Sequence, residues 1–110
     1  PTIHGDGKQS RDFTYVSNNV SANLLAARAD ARQVSGKVFN VACGRSYTLL
    51  ELLAAINEIL GTNIEPVMGP PRTGDVRHSL ADISRASQHM GYKVEVDFEE
   101  GLRRTVEAYR

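Results

Sequence analysis

Along this chain the spacing of apolar residues switches repeatedly between the period of a strand and that of a helix, which predicts short elements of both kinds in a mixed α/β order. Residues 1 to 4 read as the end of a strand. Phe13 to Val16 alternates and predicts a short strand, after which Asn18 is placed to cap a helix carrying Val20, Ala22, Leu24, Leu25 and Ala27. That helix is expected to end before Ser35 and Gly36. Lys37 to Cys43 holds Val38, Phe39 and Val41 in a compact apolar run, as a buried strand would.

In the second half the boundaries are chemically marked. Thr48 and Glu51 stand three apart ahead of Leu52 and Leu53, the spacing of a capping box in which each side chain satisfies the other's orphan amide. The helix they open should run to about Leu60, with Gly61 as its stop. Asn63 to Val67 predicts a strand broken by Pro66. Asp82 is expected to cap a short helix through Ser87 and Met90 that ends at Gly91, and Lys93 to Val96 alternates briefly. Asp97 and Glu100 repeat the capping-box spacing before a last helix whose Phe98, Leu102, Val106 and Tyr109 share a face. The count is about four helices among short strands, with no repeat, low-complexity tract or long linker, hence one structural unit.

Composition narrows the class. A chain of this length buries roughly two-thirds of its unfolded surface, enough for a core. Thirteen basic residues balance thirteen acidic ones, so no basic field for nucleic acid arises. No apolar run approaches the ~20 residues that span a bilayer, and no secretory hydrophobic segment opens the chain. The single cysteine, Cys43, cannot form an internal disulfide, which suits a reducing cytoplasm. His4, His78 and His89 lack metal-ligand spacing, so no metal site is expected.

Two arginines carry the candidate chemistry. Arg72 lies in Pro70-Pro71-Arg72-Thr73-Gly74-Asp75, and Arg11 in Gly5-Asp6-Gly7-Lys8-Gln9-Ser10-Arg11-Asp12. Both sit among turn formers at loop and strand edges, where binding residues collect. A guanidinium is a planar, permanently charged fork matched to a diphosphate, although an arginine beside Asp12 also reads as an ordinary surface ion pair.

The runs GDGKQSRDFTYVSNNVSANLLAA, GKVFNVACGRSYTLLELLAAI and PPRTGDVRHSLADISRASQHMGY resemble the C-terminal part of the NAD-dependent nucleotide-sugar epimerases and dehydratases, the extended short-chain dehydrogenases. Within them the chain is most similar to the UDP-hexose 4-epimerases. The resemblance covers nearly the whole chain and implies the small substrate-binding domain. The Rossmann half that holds NAD is absent: no glycine fingerprint occurs, and no tyrosine is followed four positions later by lysine. The chain therefore reads as a fragment that lacks the catalytic pair and is inactive alone.

Carried onto these positions, the resemblance implies that Arg11 and Arg72 contact the UDP diphosphate and that Asp75 accepts from the ribose hydroxyls, the last reading equally as a turn aspartate. Gln9 falls near the nucleotide loop, or is a solvated neighbour of Lys8. Ser79 flanks the sugar C2 substituent, and its small side chain leaves room for an N-acetyl group. Arg77 competes with Arg72 for the phosphate role. Cys43 reads as a packed small hydrophobe, Asn40 as a backbone partner near the site, and Arg103 and Arg104 as a solvated face with Glu99, Glu100 and Glu107. The activity implied is UDP-hexose 4-epimerisation, with a dehydratase, a decarboxylase or a non-catalytic binding module as alternatives. An apolar face around Val38 to Val41 or the first helix is expected to be left open for self-association.

Overall fold

The computed structural model describes residues 1–110. In chain order it comprises β1 (Thr2–His4), β2 (Ser10–Arg11), α1 (Val16–Arg28), α2 (Ala31–Val34), β3 (Tyr47–Thr48), α3 (Leu49–Leu60), β4 (Val67–Gly69), α4 (Ser84–Met90) and α5 (Phe98–Tyr109). β1 pairs with β4 in parallel, Ile3 opposite Met68. β2 pairs antiparallel with β3, Arg11 opposite Tyr47, and on its other side Ser10 bridges in parallel to His78. A mixed α/β unit results, with five helices rather than four because a one-turn α2 follows α1.

The core lies where α1 and α4 converge. Ala22, Ala86, Met90 and Tyr92 are buried together, with Leu25, Phe39, Val41 and Ile83 packed against them. The Tyr92 hydroxyl donates to the Ala42 carbonyl at 2.6 Å, so this ring can be buried whole with its polar end satisfied. A second contact joins α5 to β3: the Phe98 ring stacks on Tyr47 with centroids 3.9 Å apart. Gly101 allows the approach of Tyr15, whose Cβ stands 2.7 Å from where a Cβ on that glycine would be.

The second-half boundaries fall where local chemistry puts them. Thr48 and Glu51 form the complete capping box, and Gly61 ends α3 in the left-handed conformation at φ 65°. Gly91 ends α4 in the same way. Asp82 is not the cap of α4: Ile83 holds that position without a side-chain bond, and Asp82, one residue earlier, accepts from the Ser84 amide. At α5 only half of the box forms: Asp97 accepts from the Glu100 amide, while the Glu100 carboxylate turns to Arg103 and Arg104.

Several expectations need correction, each because a tertiary partner outweighs a local pattern. Phe13 to Val16 is not a strand: Val16 already begins α1, and the strand of this region is β2. Asn18 does not cap a helix. It is wholly buried inside α1, where Oδ1 accepts from the Glu95 and Val96 amides and Nδ2 donates to the Val96 carbonyl at 2.7 Å. One side chain thus takes the place of a neighbouring strand, and Lys93 to Val96, bent at Glu95 and Val96, belongs to no sheet. Lys37 to Cys43 forms no strand either; Phe39 and Val41 turn to the core while Val38 is 81% exposed. The strand expected at Asn63 to Val67 begins only after Pro66, and Tyr109, 89% exposed, does not join the packed face of α5.

Only 13 of 110 residues are buried, and the molecule is a slab of 50 × 32 × 17 Å with a radius of gyration of 16.5 Å. A compact chain of this length has a radius near ~13 Å. Asn18 makes more hydrogen bonds than any other buried polar side chain, so Asn18→Ala is expected to cost roughly 2–4 kcal/mol by leaving two amides and a carbonyl without partners. Urea denaturation checks this; a midpoint equal to that of the parent would show that the 95–96 segment is held by something else.

Candidate functional site

The site is built on the loop between β1 and β2. Asp6 accepts from the Lys8 amide at 2.9 Å, closing a tight turn, and the carbonyls of Gly7 and Gln9 accept from the Leu50 and Leu49 amides that open α3. Gly7 lies at φ 75°, and a Cβ there would stand 2.7 Å from the Leu50 Cγ. A residue with a side chain at position 7 would strain the backbone and push the loop off the helix. The opposite side of the loop is tied to β4, with the Gly5 amide donating to the Gly69 carbonyl at 3.0 Å.

Against this frame lie two adjoining chambers of about 570 and 270 Å³ that share His4, Gln9, Arg72 and Asp75 as walls. Arg11 lines the smaller; Asp6 and Arg77 line the larger. Arg11, Arg72 and Asp75, far apart in sequence, are therefore brought to one cavity. Arg11 is held in place from within the chain: NH1 donates to the Ser10 carbonyl and NH2 to Asp75 Oδ1, each at 2.7 Å. Three of its five N–H groups stay available. Its sequence neighbour Asp12 turns the other way, accepting from the Cys43 and Gly44 amides, so the pairing of Arg11 with Asp12 does not occur.

Arg77, the competitor for the phosphate role, is already engaged: NH1 and NH2 donate to the two Asp6 carboxylate oxygens at 2.7 and 3.0 Å. Arg72 is exposed on the cavity wall with no ion pair of its own. Three arginines face two aspartates here, so the cavity carries an excess of positive charge.

Ser79 does not join this group. Its amide donates to the Ser10 carbonyl at 3.0 Å, and it lines neither chamber. His78 Nδ1 lies 2.8 Å from Ser10 Oγ on the same edge. Asn40 is exposed and makes no side-chain hydrogen bond. Cys43 is half-buried, and burial, followed by the Asp12 carboxylate, pushes its thiol up, as suits a packed side chain rather than a nucleophile.

A family profile described as GDP-mannose 4,6 dehydratase matches residues 1–105. The chain belongs to this family. Its relatives include the UDP-glucose 4-epimerase of Mycolicibacterium smegmatis, 38% identical over 98% of this chain and 34% of the relative, and UDP-glucuronic acid decarboxylase 1 of Arabidopsis thaliana, 31% identical over 99% and 24%. Among solved structures, the Thermotoga maritima UDP-glucose 4-epimerase with UDP-glucose superposes with a TM-score of 0.91 at 43% identity, over 99% of this chain and 34% of that one. The UDP-N-acetylglucosamine 4-epimerase of Methanobrevibacter ruminantium M1, in complex with UDP-N-acetylmuramic acid, gives 0.89 at 43% over the same shares. The Bacillus cereus UDP-glucuronic acid 4-epimerase, holding UDP-glucuronic acid and NAD, gives 0.88 at 26% over 99% and 35%. This member of the GDP-mannose 4,6 dehydratase family thus spans about a third of the length of those epimerases.

The residues present do not make a dinucleotide site. Gly5 and Gly7 run into strand β2 rather than opening a helix, and the helices α1, α3 and α5 begin behind Tyr15, Thr48 and Asp97, not behind a glycine-rich turn. No helix is long and apolar enough to cross a membrane.

The cavity's second charged pair was not legible from spacing, since Asp6 and Arg77 are 71 positions apart. It dominates the site's behaviour in acid. The bidentate Arg77 fork, with the Lys8 amide, holds the Asp6 carboxyl at about 2, below its usual 3.8. A depressed carboxyl contributes stability in full above about pH 4 and loses it as the pH falls through about 2. Side-chain ¹³C titration should accordingly find the Asp6 midpoint near 2, and Asp6 titrating near 4 would mean that the Arg77 pair does not persist in solution.

Proposed function

We propose that this chain is the UDP-sugar-holding portion of an NAD-dependent UDP-hexose 4-epimerase, with the hydride chemistry and the cofactor carried by residues outside it. The observation that carries this reading is the convergence of Arg11 and Arg72 on one cavity that Asp75, bonded to Arg11, also lines. Two guanidinium forks lining one cavity suit the two phosphates of a nucleoside diphosphate. Asp75 keeps Oδ2 available while Oδ1 holds Arg11, so it can accept from a ribose hydroxyl without releasing the arginine.

Such an anchor suits epimerisation. Binding energy spent on the diphosphate, remote from sugar C4, retains the substrate while the hexose itself turns within the site. Ser79 lies outside both chambers, so on this reading the hexose extends past them towards β2, where a small side chain would leave volume for an N-acetyl group at C2. A decarboxylase with the same anchor is the second reading, favoured by the Arabidopsis relative; the reacting groups that distinguish the two belong to the rest of the protein.

Val16, Val20 and Leu24 line one face of α1 and are 62, 53 and 49% exposed. On this reading they meet the rest of the protein, and the isolated chain should self-associate through them. Light scattering tests this: a monomer at high concentration, unaltered by Val20→Glu, would count against it.

UDP is expected to bind the isolated chain in roughly the micromolar-to-millimolar range, since each charged hydrogen bond contributes only about 1.5–3 kcal/mol and part of the enclosure is missing. Titration followed by NMR should shift Arg11, Arg72 and Asp75, and Arg72→Ala should weaken binding about tenfold or more. An affinity unchanged by Arg72→Ala, with shifts elsewhere, would remove the assignment.

A further inference from the structure

Gln9 is 6% exposed, and its Nε2 donates to the His4 carbonyl at 2.7 Å. That bond fixes the amide, because turning it over would set two oxygens against each other. Its Oε1 is then left as the one buried side-chain nitrogen or oxygen in the protein without a hydrogen-bond partner. Native folds rarely strand such an atom, and where they do a missing partner is the usual reason. Gln9 lines both chambers, with Arg11 and Arg72 bordering the smaller and Arg72 and Arg77 the larger. The alternative of a solvated glutamine beside Lys8 is therefore excluded by its burial.

The chemistry of the stranded atom restricts its partner. An amide oxygen only accepts, and so do the oxygens of an ionised diphosphate, so the phosphates that suit Arg11 and Arg72 cannot satisfy Gln9. We propose that Gln9 is a ligand-positioning residue, whose Oε1 accepts a hydrogen bond from a hydroxyl or imide N–H on the nucleoside part of a bound nucleoside diphosphate. This deepens the nucleotide reading above and rests on it. Two classes of contact then divide the ligand: guanidinium forks read its charge, and one fixed amide oxygen reads a neutral donor. A mispositioned nucleotide, or an anion with no donor, leaves Oε1 unsatisfied, so Gln9 discriminates rather than merely attracts.

The test uses the natural full-length protein and measures affinities for UDP, 2′-deoxy-UDP, 3′-deoxy-UDP, 3-methyl-UDP and inorganic pyrophosphate, with Gln9→Met as the variant of similar length. The expected result is that Gln9→Met weakens UDP roughly threefold to tenfold and leaves pyrophosphate unchanged. The analogue lacking the donor that meets Oε1 should lose a like factor on the parent protein and be insensitive to Gln9→Met. Equal weakening of UDP and pyrophosphate would reveal a merely structural role and overturn the proposal, as would full sensitivity of all three nucleotide analogues to Gln9→Met. Should Gln9→Met fail to fold, the Gln9 side-chain ¹³Cδ signal of the parent decides: it should move with UDP and stay with pyrophosphate. A Gln9 signal unmoved by UDP while Arg72→Ala still abolishes binding defeats this inference alone; UDP affinity indifferent to Arg72→Ala defeats the underlying nucleotide reading instead.

Discussion

The backbone carbonyls of Gly7 and Gln9 fasten the β1–β2 loop to the opening amides of α3, and everything at the cavity hangs from that attachment. A helix start offers orphan amides that must find acceptors. Here Thr48 and Glu51 satisfy part of the demand and the loop the rest, so one set of bonds terminates the helix and immobilises the residues ahead of β2. Arg11 follows two positions after Gln9 and inherits that rigidity. Its guanidinium is then set by short contacts to Ser10 and Asp75, so the charge is placed before any ligand arrives and little side-chain freedom remains to be lost.

How much could be read in the residues depended on how far each feature reaches along the chain. The Thr48–Glu51 box, the stops at Gly61 and Gly91 and the start of α5 at Asp97 are settled within one helical turn, and the sequence placed them correctly. Strands of two or three residues are too short for alternation to declare itself, so β2 and β4 were displaced from where the pattern pointed. Asn18 was misassigned for a different reason. Its partners lie at positions 95 and 96, and no local rule separates an asparagine that caps a helix from one that feeds a distant backbone. The same holds for Gln9, whose burial arises from β1 and not from Lys8. Arg11, Arg72 and Asp75 could be singled out because their motifs are distinctive; that Arg11 grips Asp75 and Arg77 grips Asp6 required coordinates.

The slab-like shape belongs to the same account. An accessible surface of 7410 Å² exceeds the ~6,000 Å² usual for a monomer of this mass, and several apolar side chains of α1 and of the 37–43 segment contribute to it. α3 is apolar along most of its length yet contains no fully buried residue. A helix of that character normally lies inside a protein. The cavity-forming loop is nevertheless held from both sides, by α3 and by β4.

The asparagine inside α1 has a kinetic corollary. Because it grips backbone 78 positions downstream, the first long helix cannot lock against its distal tether until that segment has also left the ribosome. Contacts of such range are slow to form and leave early segments unsupported meanwhile. Until Glu95 and Val96 have emerged, α1 therefore lacks the backbone that Asn18 grips and stays open to proteases and chaperones.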